Sequence, residues 1–374
     1  MARAFPHWDE ETLFTSGDEY FAGLLRAIDD AKLSVELETY IFEKGTLADR
    51  LVEKLIAAHR RGVRVRITVD GWGSPGFLDD YYPQFKQARI GVRFFRVTPW
   101  LLRRVPGDSS SFLFRFITRW RRINRGNHRK FCLIDHQELY VGSFNVSDVH
   151  LREISGDHVW KDVGVRVKGR DVKYARRAFQ RAYRGWTALN GPARAPKLLL
   201  LNDSFRHSRR TRLQHTQRMR HARKRIWLST PYFASIAPVF RTLVRQAQKG
   251  VDVRLIVPHN NDVWFMTWMS LPLLRALDRK GVKVYVYGPR FSHQKVFIAD
   301  DWVCVGSTNL NHRSFLHDLE MDVVLTRPGN KERVIDSYRR DIEVSQTFDS
   351  SDWAQLPWWK QWFGSLFLLV KYWA

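Results

Sequence analysis

Apolar positions along this chain fall into a pattern that occurs twice. Residues 31–42 (AKLSVELETYIF) align with residues 222–233 (ARKRIWLSTPYF), and residues 61–69 (RGVRVRITV) align with residues 249–257 (KGVDVRLIV). A helical stretch separates the two members of each pair. Each half thus predicts strand, helix, strand, and then a further apolar strand that enters a polar turn. Strands alternating with helices imply a sheet covered by helices. A unit repeated at this length implies two copies of one domain. The expected fold is α/β: two tandem α/β/α domains related by a pseudo-twofold axis, at 1–190 and 191–374, each a mixed sheet flanked by helices. At 374 residues the chain has room for two cores of ordinary size.

The polar turns carry the candidate chemistry, and they repeat as well. His128-Arg129-Lys130 is followed by Asp135, and His293-Gln294-Lys295 by Asp300. Each copy then reaches Gly-Ser-x-Asn: Gly142-Ser143-Phe144-Asn145 and Gly306-Ser307-Thr308-Asn309, with His-to-Gly separations of 14 and 13 residues. One HxKxxxxD match carries a real false-positive risk; two at nearly equal spacing, each with the same tail, do not arise by accident. Two histidines, two lysines and two asparagines suit a tetrahedral phosphate. The two cysteines, Cys132 and Cys304, fall on the strands after each motif, read as buried thiols and lie outside metal-ligand spacing, so no zinc is expected.

These motifs resemble the signature of the phospholipase D superfamily, and the size and fused double motif resemble the bacterial cardiolipin synthases of the type without N-terminal membrane helices. The resemblance implies phosphatidyl transfer through a phosphohistidine with no metal and no other cofactor. It implies His128, Lys130, Asp135, His293, Lys295 and Asp300 as the catalytic set, with His128 as nucleophile and His293 as acid and base. Asn145, Asn309, Ser143 and Ser307 would bind the substrate phosphate. The family places an acid downstream of the Gly-Ser-x-Asn tail to orient each histidine; Asp162 and Glu320 fit. Asp135 and Asp300 would hold the motif turns rather than touch substrate. Arg313-Ser314 resembles a family extension that the first half lacks, since Val149-His150 stands there. The implied reaction joins two phosphatidylglycerol molecules into cardiolipin and releases glycerol. Transfer to another alcohol such as ethanolamine, a phosphodiesterase or nuclease activity, and a non-enzymatic membrane binder stay open as alternatives.

Charge narrows the partner. The formal net charge is +24, which calls for an anionic polymer or surface. Aromatic placement favours lipid over nucleic acid. A basic and aromatic segment, 100–122, precedes the first motif; residues 263–269 (VWFMTWM) follow the second repeat of the apolar pattern; and 356–373 hold four tryptophans. Rings mixed with arginines suit a headgroup interface. No run approaches about 18 consecutive apolar residues, and residues 1–18 contain no apolar core of a signal peptide. The expected location is peripheral, on the cytoplasmic side of a bacterial inner membrane rich in phosphatidylglycerol and cardiolipin, with no nucleic acid partner.

Overall fold

The computed structural model describes residues 6–97, 125–185 and 196–349. A first sheet is built from β1 (Glu10–Phe14), β2 (Ser34–Thr39), β3 (Arg64–Val69), β4 (Gly91–Phe94), β5 (Phe131–Ile134), β6 (Glu138–Gly142) and β7 (Gly164–Lys168), in the order β1-β7-β6-β5-β2-β3-β4. A second is built from β8 (Leu199–Leu201), β9 (Arg225–Ser229), β10 (Asp252–Pro258), β11 (Lys283–Tyr287), β12 (Val296–Ala299), β13 (Trp302–Gly306), β14 (Met321–Val324) and β15 (Ser345–Thr347), in the order β15-β11-β10-β9-β12-β13-β14-β8. Strands β2, β3 and β4 run parallel, as do β9, β10 and β11, while the remaining pairs are antiparallel. The two sheets therefore share one topology, mixed as expected, and β15 is the only strand of either sheet without a counterpart among the described residues.

Helices cover the outer faces. Gly17–Asp30 and Thr46–Arg60 bury Tyr20, Phe21, Leu24, Ile28, Leu47, Leu51 and Leu55 against the first sheet. The spacing of three and four residues puts these side chains on one stripe. The inner faces meet each other: β6 packs on β13 and β14, and β7 on β13. Phe131, Leu133, Leu139, Val141, Val165 and Val167 thus share one core with Leu199, Leu201, Met321 and Val323 of the other half. A clasp reinforces this seam. Trp8 is fully buried and its Nε1–H donates to the Val324 carbonyl at 3.0 Å. Glu11 accepts from the Thr326 N–H and hydroxyl at 2.7 and 2.8 Å.

Several expectations fall at the edge of the description. The boundary at 190/191, the segment at 100–122 and the tail at 356–373 lie outside the described residues. Residues 263–269 enter the helix Trp264–Asp278, where Met266 and Met269 are buried against Ala234. Cys132 and Cys304 are free and buried, and burial pushes both thiols up.

The motif aspartates sit one strand length from their histidines, in the turns after β5 and β12. Asp135 and Asp300 adopt φ of 49° and 51°, the left-handed region that side-chain hydrogen bonding makes tolerable for Asp and Asn. Asp135 accepts from the N–H groups of Lys32, Leu33 and Ser34 at 2.9, 2.7 and 2.9 Å. Asp300 accepts from Arg223, Lys224 and Arg225 at 2.9, 2.9 and 3.0 Å. Each carboxylate thus ties the motif hairpin to the start of the central strand. Both carboxyls are held below the ordinary value: partial burial pushes upward, and the three backbone donors outweigh it. A depressed folded-state value means a contribution present at neutral pH and lost as pH falls through it. Asp135→Ala should cost about 1–3 kcal/mol in urea denaturation at pH 7, with the deficit shrinking below pH 4. A variant as stable as the parent at pH 7 would show that the turn does not need the carboxylate.

Candidate active site

Both motif histidines lie on the seam, each on the residue run that enters its strand and each pinned by the opposite half. The His128 N–H donates to the Leu319 carbonyl at 3.0 Å, and the His293 N–H to the Lys161 carbonyl at 2.8 Å. Isolated parallel bridges, Asn127 with Leu319 and Lys161 with Ser292, stitch the same two crossings. The rings follow suit. His128 Nδ1 lies 3.0 Å from Glu320, which directly precedes β14, and 3.1 Å from the Ser307 carbonyl. His293 Nδ1 lies 3.0 Å from Asp162, just before β7. Each acid therefore orients the histidine of the other half. An acceptor on Nδ1 puts the proton there and leaves the Nε2 lone pair for chemistry.

The lysines reach the same centre. Lys130 Nζ donates to the His128 carbonyl at 2.7 Å and lies 5.1 Å from the Tyr40 ring centroid. Lys295 Nζ donates to the His293 carbonyl at 2.6 Å and lies 2.7 Å from His293 Nε2. Burial and then Lys295 hold the Lys130 ammonium well below the usual lysine range. Burial lowers Lys295 to about 7, with Asp162 and Glu320 opposing the shift. Burial and then the neighbouring lysines lower both imidazoles, His293 to about 3 and His128 well below its ordinary value. The centre thus holds neutral rings beside weakly held ammonium protons. An anion entering it restores the protons to their ordinary hold. Burial pushes Glu320 up to about 8, whereas the imidazoles of His293 and His150 keep Asp162 well below the carboxylate range despite its burial.

The expected phosphate ligands divide. Asn145 and Asn309 are buried at the centre, and neither amide Nδ2 is hydrogen-bonded among the described residues. Asn145 also lines a cleft of about 610 Å3 with Trp160, Trp72, Glu43, Lys44 and Asp80. Ser143 and Ser307 do not offer their hydroxyls to a ligand. Ser143 Oγ donates to the Val163 carbonyl and accepts the Val163 N–H, both at 3.1 Å. Ser307 Oγ donates to Glu320 and accepts the Met321 N–H at 3.0 Å. These serines brace the strands that carry the acids. Asp135 and Asp300 stand at the far turns.

Other residues around the centre went unread in the sequence. Tyr40, Trp160, Tyr232 and Phe291 ring the histidines, with centroids 4.9 Å from His128 (Tyr40) and 5.6, 6.3 and 6.1 Å from His293. Beneath His128, Asn127 donates to Asp70 at 2.8 Å and to Glu38 at 2.5 Å, and the fully buried Arg129 pairs with Glu38 at 2.6 Å. The first half was expected to lack a partner for Ser314; His150 fills that place. The Asn309 N–H donates to Ser314 Oγ at 3.2 Å, and the Asn145 N–H donates to His150 Nε2 at 3.1 Å. The substitution of one residue type for another hid the equivalence.

With this geometry in hand, likeness to known proteins is informative. A family model described as cardiolipin synthase, PLD-like domain, matches residues 24–181 and 216–343. The chain is 28% identical over 362 residues to a cardiolipin synthase of Alkalihalophilus pseudofirmus, covering 93% of this chain and 69% of that protein. It is 26% identical over 361 residues to the major cardiolipin synthase of Bacillus subtilis, covering 93% and 72%. Among solved structures, a phosphatidylserine synthase of Haemophilus influenzae superposes with a TM-score of 0.70 at 12% identity, over 97% of this chain and 94% of that one, a likeness of fold.

The depressed Lys295 value has a measurable cost. Its folded-state value of about 7 lies below the unfolded lysine value of about 10.4, so the unfolded chain holds this proton more strongly between those limits. The penalty is full below pH 7 and fades as pH rises towards 10. Lys295→Met should therefore abolish turnover yet raise the melting midpoint at pH 7 by at least about 2 °C, with less gain at pH 9. A lower midpoint for the methionine variant at pH 7 would contradict the assignment of Lys295 as a strained ammonium.

Proposed function

The chain belongs to the cardiolipin synthase family of phospholipase D-like proteins and is a phosphatidyltransferase of that type, and from this premise we propose that it joins two phosphatidylglycerol molecules into cardiolipin. The observation that carries the reading is the pair of crossed histidine–carboxylate contacts with two lysines and two asparagines in one buried centre. The ordinary obstacle to attack on a phosphodiester is its negative charge. Lys130, Lys295, Asn145 and Asn309 supply fixed positive potential and donors for the non-bridging oxygens, the preorganised stabilisation on which phosphoryl transfer depends.

His128 acts as the nucleophile. Its hydrogen bonds run through Nδ1 to Glu320 and the Ser307 carbonyl, which leaves Nε2 to attack phosphorus. His293 Nε2 already sits 2.7 Å from Lys295 Nζ and so is placed to exchange protons. The bound phosphodiester raises the proton affinity of His293, which becomes the imidazolium and protonates the departing glycerol. A phosphatidyl group then remains on His128 Nε2. The hydroxyl of a second phosphatidylglycerol gives its proton to His293 and its oxygen to phosphorus, and cardiolipin leaves with His128 restored. One P–O bond breaks and one forms overall, so neither nucleotide nor metal enters. Splitting the displacement in two is the gain from covalent catalysis.

The site is expected to work at the surface of an anionic bilayer, on the cytoplasmic face, held peripherally. The charge of +24 supports this, and no helix among the described residues is long and apolar enough to cross a membrane.

His128→Ala and His293→Ala should each lower cardiolipin formation by more than about a thousandfold, measured by mass analysis of lipids from phosphatidylglycerol vesicles. Labelled donor trapped by acid quench should map to His128; label on His293 would reverse the two roles. EDTA should leave the rate within about twofold. Flotation with phosphatidylglycerol vesicles should weaken from 50 to 500 mM salt, since basic residues near an anionic surface contribute about 1 kcal/mol each and are screened within a Debye length. Salt-insensitive flotation with zwitterionic vesicles would argue against an electrostatic docking surface.

A further inference from the structure

His150 is buried to 0% exposure and belongs to neither motif. Its Nε2 is committed to a backbone donor, and its Nδ1 faces a carboxylate. The Asn145 backbone N–H donates to Nε2 at 3.1 Å, so in the neutral ring Nε2 must accept and the proton resides on Nδ1. Nδ1 in turn lies 3.0 Å from Asp162 Oδ2, somewhat off the ideal donor line, while Asp162 Oδ1 faces His293 Nδ1 at 3.0 Å. One carboxylate thus stands between two imidazole N–H groups. The order runs from the backbone outward: the Asn145 amide donates to His150, His150 Nδ1 faces Asp162, His293 Nδ1 meets Asp162, and the unprotonated Nε2 of His293 faces Lys295.

The second half runs the same chain with a different link. The Asn309 N–H donates to Ser314 Oγ at 3.2 Å, the Ser314 hydroxyl acts to lower the Glu320 carboxyl against its burial, and Glu320 faces His128 Nδ1 at 3.0 Å. The internal repeat therefore serves as a control. The place takes a hydroxyl or an imidazole, groups with one acceptor and one donor in common, and the polar role is preserved while size and shape change. A residue that only filled space would need no such pairing.

We infer that His150 is a positioning residue for the transfer reaction, fixing Asp162 and through it the tautomer and ring plane of His293. This rests on the reading of the site as a phosphatidyl transfer centre. The groups facing Asp162 are His150 from the turn after β6 and His293 from the run into β12, with the ammonium groups of Lys130 and Lys295 acting on it at longer range. The rings of Phe144 and Trp160 enclose His150 edge-on at 5.5 and 5.7 Å.

The test compares His150→Ala, His150→Ser and His150→Gln with the parent chain. Partners of this kind typically contribute 10–100-fold. The alanine variant should lose that much kcat, with KM for phosphatidylglycerol within about threefold. The acidic limb of its pH profile should move upward, because Asp162 with one donor fewer binds a proton more readily. Serine, the other half's own choice, and glutamine should restore most of the rate and return the limb. Nitrogen-15 NMR gives a readout independent of turnover: His293 should be the Nδ1–H tautomer in the parent and a mixture in the alanine variant. An unchanged His293 tautomer in the alanine variant overturns the inference. So does an equal loss in all three variants with an unshifted limb, which would mark His150 as packing alone. If the parent itself makes no cardiolipin, the transfer reading fails, and the tautomer measurement still decides the role of His150.

Discussion

Everything in this molecule is arranged around two carboxylates that cross a seam. Two lysines share one buried centre with two imidazoles, and repulsion between the two ammonium groups is large when water is excluded. Compensation comes from Asp162 for His293 and from Glu320 for His128, each from the opposite half. Neither half can satisfy its own histidine. The docking of the two sheets is therefore part of the chemistry: the contact of β6 and β7 with β13 and β14 sets the distance between ring and acid. Positioning of catalytic groups tolerates about half an ångström of error, so a packed apolar seam is the fitting support.

The two halves are the same design executed with different residues. Arg129 pairs with Glu38 under the first histidine, while Gln294 in the matching place donates to Asp341 at 2.7 Å. His150 stands where the second half has Ser314. Such differences break the pseudo-twofold symmetry in the supporting layer and spare the motif residues. They let two chemically identical histidines live in different surroundings, with Asp162 held firmly ionised and Glu320 pushed towards protonation. A symmetric site would leave nothing but the substrate to choose which ring attacks.

What could be read in the sequence was what repeats or what spacing defines. The strand–helix–strand periodicity announced the mixed sheets, and the doubled HxKxxxxD spacing announced the centre. The crossing was hidden, because which acid meets which histidine depends on how two sheets face each other and on no local pattern. The serines of Gly-Ser-x-Asn are phosphate ligands by family resemblance, but here their hydroxyls are consumed by Val163 and by Glu320 with Met321. His150 was passed over because a repeat comparison looks for the same letter, and the structure preserves a hydrogen-bond pattern instead. Aromatic residues such as Trp160 carried no signal until the fold placed them beside His293.

The clasp at Trp8 has a consequence for how the molecule comes into being. Trp8 and Glu11 emerge from the ribosome more than three hundred residues before their partners, Val324, Thr326 and Arg327. Domains tend to fold in the order of their synthesis, but here the first half must wait with a bare indole and an unpartnered Glu11 carboxylate until residues 324–327 are made. A shorter delay applies to the crossed pairs: 192 residues separate His128 from Glu320 and 131 separate Asp162 from His293. The nascent first half thus carries His128 unoriented until Glu320 is made, and the centre is complete only once the two halves have closed on each other.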